Sequence, residues 1–451
     1  MRLAGVLLLG LVACVRIGAY TCDDDAACTA RAGGRCEATG HCSYPDDACA
    51  SGARYSDHAG ALAGECTSVD ASSSSTTIAE TSSSSSSSST SESSSSSSTT
   101  DMPPQPGEVL WQSFYDGGDA DKLHAVGLLA DGAIVAAGSQ VIAEQGEDAL
   151  LVWFEPNGEA RMHVTRDFAG DLDTLQDVVA SSNGPIYATG QRAQSLGAYE
   201  SWTNCFDASS GDDCLDAPTP GVTGRGLDFG VDGLIVTVGA TSFGGGAFVV
   251  ANYDYPAASA WSWTLADGEL DDTITIGTTK YVAGARAGRF YLATADAMGI
   301  VELATPTGPA EGPDRIQQLA RGDDALFAAG YVATLTSRDG WLARFELDDT
   351  VAWEHSVGDA DLDEEIEGVV VGGSGTIYAV GFTTALDSDS WVLALDPSGE
   401  PLWSRNDYMI GDGEDIARDV TLTDDGTLIV VGEAIVGGNY DGFVLALATA
   451  E

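Results

Sequence analysis

The sequence predicts an all-β chain whose residues 109–451 form seven repeated four-stranded units in a ring, behind a small disulfide-rich segment and a disordered linker. Three observations carry this. A glycine closes an aliphatic run seven times, at Gly138, Gly190, Gly239, Gly284, Gly330, Gly381 and Gly432, with successive spacings of 52, 49, 45, 46, 51 and 51 residues. Four positions before those glycines stand Ile134, Ile186, Ile235, Lys280, Leu326, Ile377 and Leu428, so six of the seven are aliphatic. The two ends of the ring are also complementary: from Val109 the chain reads as the end of a unit without a beginning, and the last unit stops after Ala448 without an ending.

The chain opens MRLAGVLLLGLVAC, one Arg followed by a short apolar run, which reads as a signal peptide over residues 1–13 and is too short for a permanent membrane span. Leu11-Val12-Ala13-Cys14 resembles the bacterial lipobox, which implies a mature protein beginning at a lipidated Cys14. Val15 in second place is not the Asp that the family uses for inner-membrane retention, so the resemblance implies the outer membrane or the cell surface.

Residues 14–70 hold Cys22, Cys28, Cys36, Cys42, Cys49 and Cys66. A segment this short buries too little apolar surface to fold unaided, so three disulfides are the natural staple, with the pairing open. Zinc is disfavoured because no C-x2-C knuckle occurs. The segment resembles the small Cys-rich heads of exported bacterial lipoproteins. Residues 71–108 are rich in Ser, Thr and Pro, cannot build a core, and read as a disordered linker.

Within each unit Asp131-Gly132, Asn183-Gly184, Asp232-Gly233, Ser374-Gly375 and Asp425-Gly426 supply hairpin turns between the first two runs. The third run begins at Leu150, Trp202, Phe248, Phe290, Trp341, Trp391 and Phe443, and Asp148, Asp339, Asp389 and Asp441 stand two residues ahead in the clearest copies. A fourth run carries Trp353, Trp403 and the orphan Trp111. Four strands in about fifty residues is the size of a propeller blade. A seven-bladed β-propeller closed by its own N-terminal strand over 110–115 follows, because closure removes the unpaired ends of an open array. The phrases DGTLIVVGE, DSWVLALDPSGEPLW and GTIYAVGFT resemble the bacterial seven-bladed β-propeller repeat family. ALDPSGEPLW also resembles the quinoprotein-type propeller motif, although the adjacent cysteine pair of the alcohol-oxidising members is missing.

Function is less legible. A formal charge of −50 disfavours nucleic acid as a partner. Acidic joints at Gly118–Asp121, Gly170–Asp173, Gly268–Asp271, Gly358–Asp361 and Gly411–Glu414 are expected to ring one mouth of the central channel, mostly as turn-forming residues. The joint carrying Asp359, Asp361 and Asp363 is the candidate Ca²⁺ loop, since alternate carboxylates there would meet one ion. Cys205 and Cys214 flank a turn and are expected to form a disulfide. No G-x-S-x-G, H-E-x-x-H or G-x-x-x-x-G-K-[ST] signature occurs. The expected role is therefore a lipid-anchored envelope protein whose propeller serves recognition, adhesion or assembly with envelope proteins or glycans. The alternative is an exported glycan-acting hydrolase or lyase using carboxylates at the mouth.

Overall fold

In the computed structural model the described residues are 16–17, parts of 28–67, and 103–449 apart from 143–145, 169–171, 181–183, 195–197, 221, 242–244, 254–258, 304–312, 349, 360–361, 386 and 409. The chain divides into two compact units, Ala19–Pro104 and the remainder. In the first, Arg35–Cys36, Cys42–Pro45 and Ala53–Tyr55 make a three-stranded antiparallel sheet. Cys28–Cys42 and Cys49–Cys66 are disulfide-bonded across it, with Cα atoms 5.5 and 5.4 Å apart. Cys36 is disulfide-bonded as well. Cys14, Cys22 and most of the Ser/Thr-rich linker lie outside the described residues.

Among the described residues of the second unit there are seven antiparallel sheets, all but the last formed by four consecutive strands. The first comprises Asp121–Leu128, Ile134–Ile142, Gly146–Phe154 and Ala160–Arg166. The second, third, fourth, fifth and sixth begin with Thr174–Ala180, Val222–Phe229, Glu269–Ile276, Arg315–Arg321 and Asp363–Val371. The seventh contains Asp415–Leu422, Leu428–Val436 and Asn439–Leu447, and its fourth strand is Val109–Asp116, paired antiparallel with Asn439–Leu447. Arg16–Ile17 adds a two-residue ladder outside that strand.

Each sheet packs its face on the next, and the seventh packs on the first. Alternating side chains make this possible, because a strand with apolar residues on both faces contributes to the core on either side. The layer between the seventh and first sheets joins Tyr115, Leu123, Val431 and Val444, and that between the sixth and seventh joins Val380, Val392, Val430 and Phe443. The second strands, such as Leu428–Val436, are almost wholly buried.

The closing glycines have a specific cause. Every first strand carries a β-bulge opposite the closing glycine of the second strand. A Cβ on Gly432 would lie 1.9 Å from the carbonyl oxygen of Ile416 and 2.8 Å from the ring of Phe443, and the other closing glycines meet a first-strand carbonyl at 1.9–2.1 Å. On the other side Gly432 is paired directly with Phe443, as Gly330 is with Trp341 and Gly381 with Trp391. Gly432 is thus squeezed between a first-strand carbonyl and an aromatic ring.

Candidate functional site: a polar channel

The bulges also build the candidate site. A bulge leaves one residue unpaired and re-aims its side chain. The seven bulged residues are His124, Gln176, Arg225, Asp271, Gln317, Glu367 and Arg418, and all seven line one central cavity of about 510 Å³. In six of the seven the residue before is apolar and faces the core, the exception being Gly224, so the bulge is what turns a polar side chain inward. Sequence reasoning missed this set. The available signal was a polar residue 13 or 14 positions before each closing glycine.

Inside the channel most charges are paired. Arg225 Nη1 reaches Glu269 at 2.7 Å and Asp271 at 2.8 Å, and Arg315 Nη2 reaches the same two carboxylates at 2.7 and 2.5 Å. Arg418 pairs with Glu433 at 2.6 Å and Glu367 at 3.3 Å. Burial pushes the Glu367 carboxyl up to about 7 despite Arg418.

After four of the seven bulges the next residue acts between sheets. Asp177 accepts from the Leu227 backbone N–H at 2.7 Å, Asp272 from Leu319 at 2.7 Å, and Asp419 from Val126 at 2.8 Å. Gln318 takes the same role toward Val369, and its amide nitrogen donates across the channel to Asp419 at 2.6 Å. These are first-strand-to-first-strand bonds, and the Asp419 bond joins the seventh sheet to the first. Burial raises Asp177 to about 7, with the neighbouring Asp419 adding to it, and raises Asp419 to about 6.

The acidic joints fall into different registers. Asp121 and Asp173 of the first two joints, and Glu364 and Asp415 just beyond two others, stand two residues before the last paired residue ahead of the bulge and accept backbone N–H bonds. They hold the joint at the seam between sheets, as turn-forming acids do. Asp271 looks alike in sequence but is the bulged residue and faces the channel. The phrase repeats while its position in the sheet does not.

Of the candidate Ca²⁺ loop, Asp361 lies outside the described residues. The Asp359 N–H donates to Glu364 at 2.9 Å, and Asp363 accepts from the Arg338 N–H at 2.8 Å. Cys205 and Cys214 are disulfide-bonded, with Cα atoms 5.2 Å apart. Among the described residues, no helix is long and apolar enough to cross a membrane.

Solved structures show what this arrangement is similar to. The WD40 repeats of RRP9 superpose with a TM-score of 0.55 at 12% identity, covering 76% of this chain and 99% of that one. The structure of U3-55K gives a TM-score of 0.53 at 12% identity, covering 74% and 98%. The fold is a β-propeller. No protein-family model matches the chain, and no curated protein matches it by sequence. For the propeller, likeness at this identity speaks to fold, so function has to be argued from the channel.

Proposed function

We propose that the protein is a lipid-anchored envelope protein whose seven sheets form a propeller closed by Val109–Asp116, and that the propeller is a non-catalytic recognition module. The observation that carries the reading is the ring of bulged residues. Scaffold positions repeat from sheet to sheet, whereas the bulge holds His, Gln, Arg, Asp, Gln, Glu and Arg in turn. Repetition belongs to the blade, and a set of unlike polar side chains at one repeated position is how a repeat fold makes a single asymmetric site. The lining offers amide, imidazole and ion-paired groups, which suits a polar ligand such as a glycan unit or a polar loop of an envelope protein.

The test uses the full chain and a variant with His124→Ala, Gln176→Ala and Gln317→Ala on glycan and peptide arrays. Binding by the wild type and its loss in a variant of unchanged melting temperature is the expected result; binding that survives the triple change would refute the channel as the site. Anchoring is tested separately by acyl labelling, expected for the wild type and absent in Cys14→Ser. The glycan-cleaving reading keeps one specific support, because a buried carboxyl at about 7 such as Glu367 is suited to donate a proton. Turnover of a glycan panel that is lost in Glu367→Gln would favour it over simple recognition.

A further inference from the structure

The seam where the chain closes on itself contains a second cluster that the channel does not use. Asp116 ends the closing strand, Asp121 begins the first sheet, and Asp441 lies on the third strand of the seventh. One carboxylate oxygen from each lies within 4.8 Å of the others. Proximity of acids alone proves little. The second observation is that the two innermost members are buried without the partners that buried carboxylates ordinarily have. Asp121 has no exposed surface, and its Oδ1 has no hydrogen-bond partner while Oδ2 takes the Gly117 N–H at 2.6 Å. The Asp441 side chain, on a residue 6% exposed, has neither a hydrogen bond nor an ion pair among the described residues. Among the described residues no Lys or Arg pairs with any of the three.

We propose that Asp116, Asp121 and Asp441 bind one calcium ion that clasps the closing strand, the first sheet and the seventh sheet together. Three oxygens within 4.8 Å of one another surround a point no more than about 2.8 Å from each, so a small side-chain adjustment brings all three to the roughly 2.3–2.6 Å of a calcium ligand, and an all-carboxylate set is the donor chemistry of calcium. At two other seams the residue in the place of Asp121 is fully partnered, whereas Glu364 Oε2 at the sixth sheet is, like Asp121 Oδ1, buried without a partner. The equivalent Asp173 has both oxygens occupied by the Phe168 and Ala193 N–H groups, and Asp314 pairs with Arg289 at 3.1 Å. The closing seam is also where a clasp has mechanical purpose. Asp116 and Asp121 are neighbours in sequence, whereas Asp441 comes from the far end of the chain, so one ion ties the two ends of the ring. Burial, with the mutual repulsion of these acids, raises Asp121 and Asp441 each to about 7, a cost that a bound cation would offset.

The experiment strips the full chain with chelator and titrates calcium, by calorimetry and by thermal unfolding, for the wild type, Asp441→Asn and Asp361→Asn. Wild-type protein is expected to bind at this site and, with calcium about a hundredfold above its Kd, to melt roughly 4 °C higher than with chelator. Asp441→Asn, which keeps the side-chain shape, is expected to lose that binding and that shift, and Asp361→Asn to keep both. Absence of calcium binding by the wild type overturns the proposal whatever the variants do. Binding that persists in Asp441→Asn, or disappears only in Asp361→Asn, overturns it too.

Discussion

Replacing Asp419 with alanine tests the interlock between first strands. Asp419 is buried and accepts from the backbone N–H groups of Val126 and Val420 at 2.8 and 2.7 Å and from Gln318 Nε2 at 2.6 Å. Alanine leaves the two buried backbone donors without this acceptor, at about 1–3 kcal/mol each, so the gross cost is about 2–6 kcal/mol. An opposing effect depends on pH. Burial raises the Asp419 carboxyl from 3.8 to about 6, so between those values the folded state holds more protons than the unfolded chain. Wild-type stability from this group is therefore greatest at low pH and falls as pH rises through that window, whereas the alanine variant has no such loss. Going from about pH 5 to about pH 7.5 crosses the last pKa unit of the window, which is worth about 1.4 kcal/mol. The deficit of Asp419→Ala should therefore be about 1.4 kcal/mol smaller at the higher pH. Guanidinium unfolding of both proteins, followed by tryptophan fluorescence at the two pH values, measures it. A deficit that is equal at both, or larger at the higher pH, would refute the assignment of a buried, charge-penalised acceptor.

Two further perturbations address the scaffold. Gly432→Ala should cost about 3 kcal/mol or more, because its Cβ would meet the Ile416 carbonyl at 1.9 Å, while Gly373→Ala, with nothing within 4 Å, should stay within about 0.5 kcal/mol. Equal unfolding midpoints for the two variants would contradict the bulge explanation. Deleting Val109–Asp116 removes Tyr115 from the core between the seventh and first sheets and leaves Asn439–Leu447 as an unpaired edge. Hydrogen exchange should then show Asp415–Leu447 opening well before the other sheets, and unchanged protection there would count against closure by this strand.

Much of the architecture was legible because it is written locally. Asp131-Gly132, Asp232-Gly233 and Asp425-Gly426 mark hairpin turns, and Gly132, Gly233 and Gly426 do adopt φ of 83°, 75° and 83°. The glycine at the end of each second run and the aromatic that begins most third runs were visible as a period, although the reason for the glycine, a carbonyl pressed against its Cα, was not. The channel differs from the sequence reading in one particular: Asp121 and Asp173, expected around its mouth, turn into the seams, and the similar phrase at Asp271 lies in a different register.

By itself, the sequence determined that the chain is all-β, where its hairpin turns fall and the period of its repeat, because strand periodicity and turn chemistry depend on residues a few positions apart. Only the tertiary structure decided which side chains share a space. A single unpaired residue per first strand turns His124, Arg225 and Glu367 toward a common channel, and a one-residue change in pairing sends a side chain to the opposite face. Asp121 and Asp441 are unremarkable where each stands in the chain. They become a site because the last sheet packs on the first, and no local pattern records that meeting.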